Sequence, residues 1–243
     1  MRFMDRVAVV TGGGRGIGRA ASLALAREGA HVVVTARSRT EITQVAAEVE
    51  ALKRRALPIV TDVADEKSVA AMAAEVVGAF GRVDILINAA GAIDFALLSA
   101  APATMWDHIM GVNVRGAYLV TAALLPTMRA QKSGAVVMVS AIGAFGGGGI
   151  APIYRASKAA MNNIGEGFAA ETLGQGIRVN TICPAETDTR LCATAYPADV
   201  DKSKWMRPED IAAVILFLAS DESRAMTGAT VIAAGFTKLS RWG

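Results

Sequence analysis

The chain has 243 residues, which suits a single domain over residues 1–243 with one continuous core. Hydrophobic residues make up 53% of it and charged residues 19%, a composition that excludes a disordered chain. The net charge is only +3, and the one tight basic cluster, Lys53 to Arg55, ends a predicted helix. The cluster therefore indicates a solvated helix end and not a nucleic-acid surface.

Other features narrow the function further. The first residues run into a predicted strand without the layout of a signal peptide, so we expect a cytoplasmic protein. The apolar stretch from Ile211 to Ala219 has about half the length of a membrane-spanning helix and predicts no membrane partner. Cys183 and Cys192 lack the close spacing of a redox or zinc pair. His31 and His108 lack ligand spacing as well, so no metal site is predicted.

Seven apolar runs rich in valine and isoleucine recur along the chain, separated by segments with helix signals. Uninterrupted apolar runs are typical of strands that a parallel sheet buries on both faces. The predicted strands are Arg6 to Thr11, His31 to Ala36, Ala56 to Val60, Val83 to Ile87, Ala135 to Val139, Ile177 to Cys183 and Ala229 to Ala233.

The helix signals include Ser38 followed by Glu41, which predicts a capping box, and Pro208 at a helix start. Alternating strands and helices predict an α/β, doubly wound fold with a seven-stranded parallel sheet flanked by helices. Such a sheet binds ligands at the carboxyl ends of its strands. The glycines from Gly146 to Gly149 predict a mobile loop after the fifth strand.

A glycine-rich turn follows the first strand and leads into a helix. Glycine lets the backbone approach a pyrophosphate, whose charge is favoured by a helix N-terminus. The position predicts nucleotide binding, although glycine is common in ordinary turns too. The candidate cofactor-binding residues here are Gly12, Gly14, Arg15, Gly16, Ile17 and Gly18.

The end of the second strand carries information on the cofactor. NAD-binding folds commonly place an acidic residue there to bind the adenosine ribose, but this strand ends in Ala36 and Arg37. Arg37 and Arg15 could flank a ribose 2′-phosphate, which predicts NADP(H) as the cofactor. The alternative is that Arg37 is merely a solvated loop residue.

Tyr154 and Lys158 lie four residues apart at the start of a predicted helix, and such residues share a helix face. A phenol has an ordinary pKa near 10, and a nearby ammonium favours the phenolate. We therefore expect Lys158 to lower the pKa of Tyr154 and Tyr154 to act as the general acid and base.

With these motifs in their order, the chain resembles the short-chain dehydrogenase/reductase family over nearly its whole length, with a 3-oxoacyl reductase-like subgroup as the nearest pattern. The resemblance implies a Rossmann fold that is both dinucleotide-binding and catalytic. The motifs that carry it are TGGGRGIG at 11–18, Asp62-Val63, Asn88 to Gly91, Asn113, Ser140, YRASK at 154–158, and Pro184 through Thr189.

The resemblance implies a role for each residue. Ser140 would bind the substrate oxygen, Tyr154 would protonate it, and Lys158 would also hold the nicotinamide ribose. Asn113 would anchor a water that leads protons to solvent, although it could simply bridge backbone groups. The remaining cofactor contacts that it implies are Asp62, Val63, Asn88, Gly91, Pro184, Thr187 and Thr189.

The chain departs from the family pattern at four places. Ser140 precedes Tyr154 by 14 positions where 13 is common, which we expect the glycine run to absorb. Ala185 replaces a usual glycine, and Glu186 with Thr187 replaces an apolar pair, which predicts a polar pocket wall. Phe236 follows Ala-Gly where glycine is usual, in a region that the family uses for subunit packing.

The segment at about 190–206 is expected to form a short lid over the substrate. The candidate pocket residues suggest an apolar or aromatic substrate, although core packing explains each equally well. They are Ile93, Ile142, Phe145, Ile153, Leu191, Tyr196 and Trp205.

Three functions compete. The first is an NADP-dependent oxidoreductase that transfers hydride between nicotinamide and a ketone or secondary alcohol. The second is a catalytically silent NADP-binding regulator, and the third, an enoyl reductase, fits the tyrosine–lysine spacing poorly. Small residues on the helices at 113–129 and 152–173 predict a homotetramer, with a dimer as the alternative. The substrate is expected to be a small carbonyl or alcohol.

Overall fold

The structure is a computed structural model that describes residues 1–146 and 151–235. Seven parallel strands form one sheet in the order β3-β2-β1-β4-β5-β6-β7, which confirms the predicted Rossmann architecture. The strands are β1 (Val7–Thr11), β2 (His31–Ala36), β3 (Ala56–Val60), β4 (Ile85–Asn88), β5 (Gly134–Val139), β6 (Ile177–Pro184) and β7 (Thr230–Ala233).

Eight α-helices connect the strands of the described chain. Two apolar clusters cover the two faces of the sheet: α1, α2 and α8 pack on one face, and α3, α5 and α6 pack on the other. The helices are α1 (Gly16–Arg27), α2 (Arg39–Ala51), α3 (Glu66–Phe80), α4 (Ala103–Met110), α5 (Gly116–Gln131), α6 (Pro152–Glu171), α7 (Arg190–Ala193) and α8 (Pro208–Ala219).

The buried strands explain why the sequence folds in this way. Every residue of β1 and β4 is buried, as a strand covered by helices on both faces requires. The β-branched side chains of β2 fit the pleated, doubly covered surface and resist the helical alternative. Burying these apolar side chains supplies the main driving force for folding.

The structure shifts the ends of five predicted strands, by one residue except at the start of β4. Strand β4 begins at Ile85 and not at Val83, because the Val83 amide donates to the side chain of Gln131, 2.8 Å away, instead of joining the sheet. The helix predicted from Asn113 begins as a π-helical segment, Gly111–Arg115, before α5. Such wide turns are frequent at functional sites.

The strand order reverses between β1 and β4, which are adjacent in the sheet. At that point the loops after the two strands diverge to opposite faces and leave a crevice at the carboxyl ends. The fold therefore places residues from the ends of several strands around one opening.

One helical stretch, Ala103–Gln131, has the length and apolar composition of a membrane span. Half of its most apolar window is buried inside the protein, and α5 packs on α3. A helix in the core of a soluble protein has the same length and apolar composition.

Candidate functional site

A cavity of about 320 Å³ occupies the crevice at the carboxyl ends of the strands. Its walls come from the glycine turn after β1, the loops after β2, β3 and β4, the end of β5, the start of α6 and the start of α7. The site residues predicted from sequence that line it are Gly12, Gly14, Arg15, Gly16, Ile17, Gly18, Arg37, Asp62, Val63, Gly91, Ser140, Tyr154, Lys158 and Thr189.

The glycine turn is shaped for close backbone approach. Gly12 has a φ of +63°, and a side chain there would lie 2.9 Å from the backbone of Ala89 and Ala90. At Gly18 a side chain would overlap the carbonyl of Gly12. Both positions therefore require glycine, and the turn leaves room for a phosphate-bearing ligand over the backbone.

Helix α1 starts at this turn without a side-chain cap, since Arg15 at its N-cap makes no capping hydrogen bond. Its first N–H groups face the cavity end of the helix, where an anion is favoured. The turn, the bare helix start and the cavity together fit the pyrophosphate of a dinucleotide.

Three exposed arginines surround this part of the cavity: Arg15 in the turn, Arg37 after β2, and Arg190 at the start of α7. Among the residues that the structure describes, none of the three forms an ion pair. Sequence reasoning missed Arg190, although its place just beyond β6 could have indicated it. The three guanidinium groups are available to phosphate oxygens.

The loop after β4 is tied to the glycine turn and to α6. The hydroxyl of Thr11 accepts from the backbone amides of Ala89 and Ala90, at 3.1 and 3.2 Å. Asn113 accepts from the amide of Ala92 at 2.7 Å and donates to its carbonyl at 2.9 Å. These bonds fix the position of Gly91 at the cavity wall.

Asn113 also donates to the hydroxyl of Ser157, 2.8 Å away, and Ser157 donates to the carbonyl of Tyr154. The side chain of Asn113 is fully buried and does not line the cavity. The π-helical turn thus aims Asn113 at α6, in the backbone-bridging role that we gave as the alternative. A water at this residue stays a prediction.

Ser140 lies at the end of β5, on the cavity wall. Its hydroxyl donates to the carbonyl of Lys158 at 2.9 Å, and its amide donates to the carbonyl of Ile182. The side chain is 4% exposed. Ser140 is therefore held beside α6, on the wall of the cavity that Tyr154 also lines.

Lys158 is buried, and its ammonium donates to the carbonyl of Val139 at 2.8 Å. Burial lowers the pKa of Lys158 to about 8, although the side chain of Cys183 acts against the shift. Its Nζ lies 5.6 Å from the centroid of the Tyr154 ring. The two side chains are neighbours, as their spacing predicts.

The expected effect of Lys158 on the phenol is corrected by the structure. Burial raises the pKa of Tyr154 above its ordinary value, and the nearby thiols of Cys192 and Cys183 add to the rise. Removal of the hydroxyl from water outweighs the ammonium 5.6 Å from the ring. Tyr154 therefore holds its proton at neutral pH.

The two cysteines adjoin the catalytic candidates, which their spacing in the sequence did not show. Burial raises the pKa of the Cys183 thiol, although hydrogen bonds with Ser140 and Asn162 act against that rise. Cys192 is half-buried on α7, and burial raises its pKa too. Both thiols stay protonated and form part of the apolar surroundings of Tyr154.

Three predicted cofactor residues lie outside the cavity wall. Asn88 is buried and donates to the hydroxyl of Thr121, 2.9 Å away, so it braces β4 against α5. Pro184 pairs with Ala233 in the sheet, and Thr187 donates to the carbonyl of Ala185. All three hold neighbouring segments of the cavity wall in place without lining the cavity themselves.

The segment at 190–206 folds back over the end of β6. Tyr196 donates to Glu186 at 2.9 Å and packs on Trp205, whose ring centroid lies 5.0 Å away. Lys202 pairs with Asp188 at 3.1 Å. Of the apolar pocket candidates, only Leu191 lines the cavity formed by the described residues.

Two features of the sequence fall outside the described residues. The run from Gly146 to Gly149 is described at Gly146 alone, and Phe236 lies beyond the last described residue, Gly235. The expectations on the loop after β5 and on subunit packing at Phe236 therefore stay predictions.

This fold places a phosphate turn and a buried tyrosine–lysine pair in one cavity. It defines the class of protein: an oxidoreductase that works with a nicotinamide dinucleotide. The model of the short chain dehydrogenase family matches residues 6–199. The chain belongs to that family.

Individual relatives agree with the family. The 3-oxoacyl-[acyl-carrier-protein] reductase of Thermotoga maritima is 35% identical over 239 residues, which cover 95% of this chain and 97% of the relative. The meso-2,3-butanediol dehydrogenase of Serratia marcescens is 33% identical, with 95% and 94% covered.

Solved structures give the same result. The crystal structure of levodione reductase has a TM-score of 0.91 and 30% identity, covering 96% of this chain and 98% of its own. NAD+-bound xylitol dehydrogenase has a TM-score of 0.89 and 27% identity, covering 97% and 100%. Hydride transfer with a nicotinamide cofactor is common to the family.

Proposed function

We propose that this chain is an NADP(H)-dependent oxidoreductase of the cytoplasm that interconverts a ketone and a secondary alcohol. One observation carries the proposal: a single cavity joins the glycine turn and Arg15, Arg37 and Arg190, which form no ion pair among the described residues, to Ser140, Tyr154 and Lys158. The cofactor, when bound, would supply or accept the hydride. The protein supplies the proton and the charges around it.

Tyr154 is the general acid in the reductive direction. A phenol that burial keeps protonated can donate to the carbonyl oxygen as negative charge develops there. Ser140, on the same wall, can give that oxygen a second hydrogen bond once its hydroxyl turns away from the carbonyl of Lys158.

Lys158 has two tasks. Its ammonium is anchored by the carbonyl of Val139 and faces the ring of Tyr154, so it stabilises the phenolate that remains after proton donation. Its remaining N–H groups can hold the ribose nearest the nicotinamide. The segment at 190–206 is the lid, and its Arg190 and Leu191 line the cavity.

A screen for activity tests the proposal. NADPH absorbance is followed with ketones, β-ketoacyl thioesters, quinones and sugars, and we expect turnover of at least one class. A catalytically silent NADP-binding regulator would bind NADPH and leave every substrate unchanged. That outcome would favour the regulator over the enzyme as the function of this chain.

The cofactor assignment rests on Arg15 and Arg37. A charge-assisted hydrogen bond to a phosphate contributes roughly 1.5 to 3 kcal/mol, so losing one should cost about 10- to 100-fold in kcat/KM for NADPH. Ala36→Asp combined with Arg37→Ala should shift preference toward NADH. An unchanged ratio of kcat/KM between the cofactors would show that the 2′-phosphate does not lie beside Arg37.

We also propose that the chain forms a homotetramer. An apolar groove runs between α4, α5 and α6, where Tyr118 is 49% exposed and stacks on Phe168. Ala156, Ala159 and Gly167 of α6 are exposed, whereas Gly165 faces Thr181 of its own sheet and cannot serve an interface. A monomer by light scattering at micromolar concentration would contradict the tetramer.

A further inference from the structure

The carboxylate of Glu41 lies at the end of the cavity where Arg15 and Arg37 are found. Glu41 belongs to the first turn of α2 and lines the same cavity wall as Ser38 and Arg37. A side-chain carbon placed on Gly14 would lie 2.8 Å from the Cβ of Glu41 and 3.4 Å from its Oε2. The carboxylate therefore covers the phosphate turn directly.

The side chain of Glu41 lies there instead of completing the capping box at the start of α2. Ser38 caps α2 by accepting from the Glu41 amide at 3.4 Å, which is half of the predicted capping box. In the part of the chain that the structure describes, the reciprocal bond from the Ser38 amide to the Glu41 carboxylate is not formed. The carboxylate also has no ion pair or hydrogen bond there, and the residue is half-buried.

The position of this acid alters the chemistry of the adenosine ribose site. Strand β2 ends without the acidic residue that commonly accepts from ribose hydroxyls, and α2 brings a carboxylate to the same cavity one turn later. Two carboxylate oxygens can accept from two hydroxyls, whereas they repel a phosphate. The arginines have the opposite preference.

We propose that Glu41 is a cofactor-specificity residue that opposes Arg37. It accepts from the ribose hydroxyls of the unphosphorylated cofactor and weakens binding of the 2′-phosphate, so that the enzyme uses NADH beside the preferred NADPH. The proposal rests on the NADP(H) assignment made above, because Arg37 is the group that Glu41 counteracts.

Binding of nucleotide fragments to the free enzyme tests the role of Glu41 apart from turnover. By calorimetry, 2′,5′-ADP reports the 2′-phosphate and 5′-ADP reports the hydroxyl. In Glu41→Gln we expect the ratio of the two affinities to shift toward 2′,5′-ADP by about 3- to 10-fold, since one like charge is removed. The ratio of kcat/KM for NADPH and NADH should move in the same direction.

Glu50→Gln is the matched control, because Glu50 is exposed near the far end of α2 and the substitution changes the net charge equally. It should leave both ratios unchanged. Glu41→Ala repeats the test without the amide. If both Glu41 variants keep the wild-type affinity ratio, or if Glu50→Gln shifts it as much, the proposal is overturned.

Arg37→Ala separates this proposal from the cofactor assignment. If Arg37→Ala abolishes the preference for 2′,5′-ADP and the Glu41 variants change nothing, NADP(H) stands and the role of Glu41 falls. If the wild type prefers 5′-ADP and Arg37→Ala has no effect, the NADP(H) assignment falls. The role of Glu41 as the opponent of Arg37 then falls with it.

Discussion

At the amino ends of the strands, charged side chains form hydrogen bonds within the protein, whereas at the carboxyl ends several line a cavity. Asp84, just before β4, accepts from Arg82 and from the backbone amide of Val7, at 2.6 to 2.8 Å. Arg178 in β6 donates to the carbonyl of Leu218 in the last turn of α8 and to the carbonyls of Ser220 and Ser223 just after it. These contacts join neighbouring strands and helices.

The carboxyl ends have a different arrangement. Lys158 is buried with no carboxylate in contact among the described residues, and burial shifts its pKa and that of Tyr154 away from their ordinary values. Such an arrangement costs stability, since a charged group prefers water. The comparison indicates that the amino ends hold the sheet together and that the carboxyl ends are arranged for chemistry.

The largest effect is expected from Tyr154→Phe, which keeps the ring and removes the transferable proton. Turnover should fall by about 10³- to 10⁴-fold, while NADPH affinity stays nearly unchanged. Tyr118→Phe, at an exposed tyrosine on α5, is the control and should keep full activity. Steady-state kinetics beside a fluorescence titration of NADPH measure both quantities. Near wild-type kcat in Tyr154→Phe would remove Tyr154 from the mechanism.

Asp84→Asn tests the amino ends. The new amide cannot accept from Arg82 at both oxygens, and the Asp84 side chain is only 3% exposed, so little water replaces the lost bonds. We expect the free energy of unfolding to fall by about 2 to 4 kcal/mol in urea. The activity of the folded protein should not change. A large loss of kcat with intact stability would contradict the division between the two ends.

Lys158→Met should raise stability while it abolishes turnover. The pKa of Lys158 lies at about 8 in the folded chain, below the ordinary value of 10.5, so charging the buried amine costs free energy below pH 8. Removing that cost, less the lost bond to Val139, should stabilise the fold by about 1 to 3 kcal/mol at pH 7.

The pH dependence checks the cause of this gain. Between pH 8 and 10.5 the unfolded chain still binds the proton that the folded chain has released, so wild-type stability rises relative to Lys158→Met. The advantage of the variant should therefore shrink over that range. An advantage that is equal at pH 7 and pH 10 would assign it to packing.

The sequence predicts most of the sheet, because β1 and β2 are unbroken apolar runs that only a doubly covered strand satisfies. It does not predict the π-helical turn at Gly111–Arg115, since contacts from Asn113 to another helix accompany that turn. Direction of a side chain also depends on packing. The sequence predicts that the carboxylate of Glu41 completes the capping box of α2. In the structure, packing places that carboxylate over the phosphate turn.

The pKa of Tyr154 shows the same limit. The sequence gives the spacing to Lys158, which predicts a nearby ammonium, but the depth of burial belongs to the whole fold. Desolvation outweighs the charge at the observed separation and reverses the direction of the shift.

The smallest effect is expected at His31, a titratable group at the amino end of β2. Burial and the guanidinium of Arg54 lower the pKa of His31, while Asp5 opposes the shift and Arg55 adds to it. The Arg55 amide donates to Nδ1 of the ring at 3.1 Å, which favours the neutral imidazole. The ring also stacks on Phe80.

Because the folded chain binds this proton more weakly than the unfolded chain, stability is fully present above pH 6.5 and is lost as the pH falls through the unfolded pKa toward the folded one. The loss should stay under about 1 kcal/mol, since neighbouring solvent screens the charges. His31→Gln should remove this part of the pH dependence in urea titrations at pH 7.5 and pH 5.5. His108→Gln, at an exposed histidine on α4, should keep it. If stability depended on pH equally in His31→Gln and in the wild type, the amino ends would tolerate an added charge. The contrast with the carboxyl ends would then be broken.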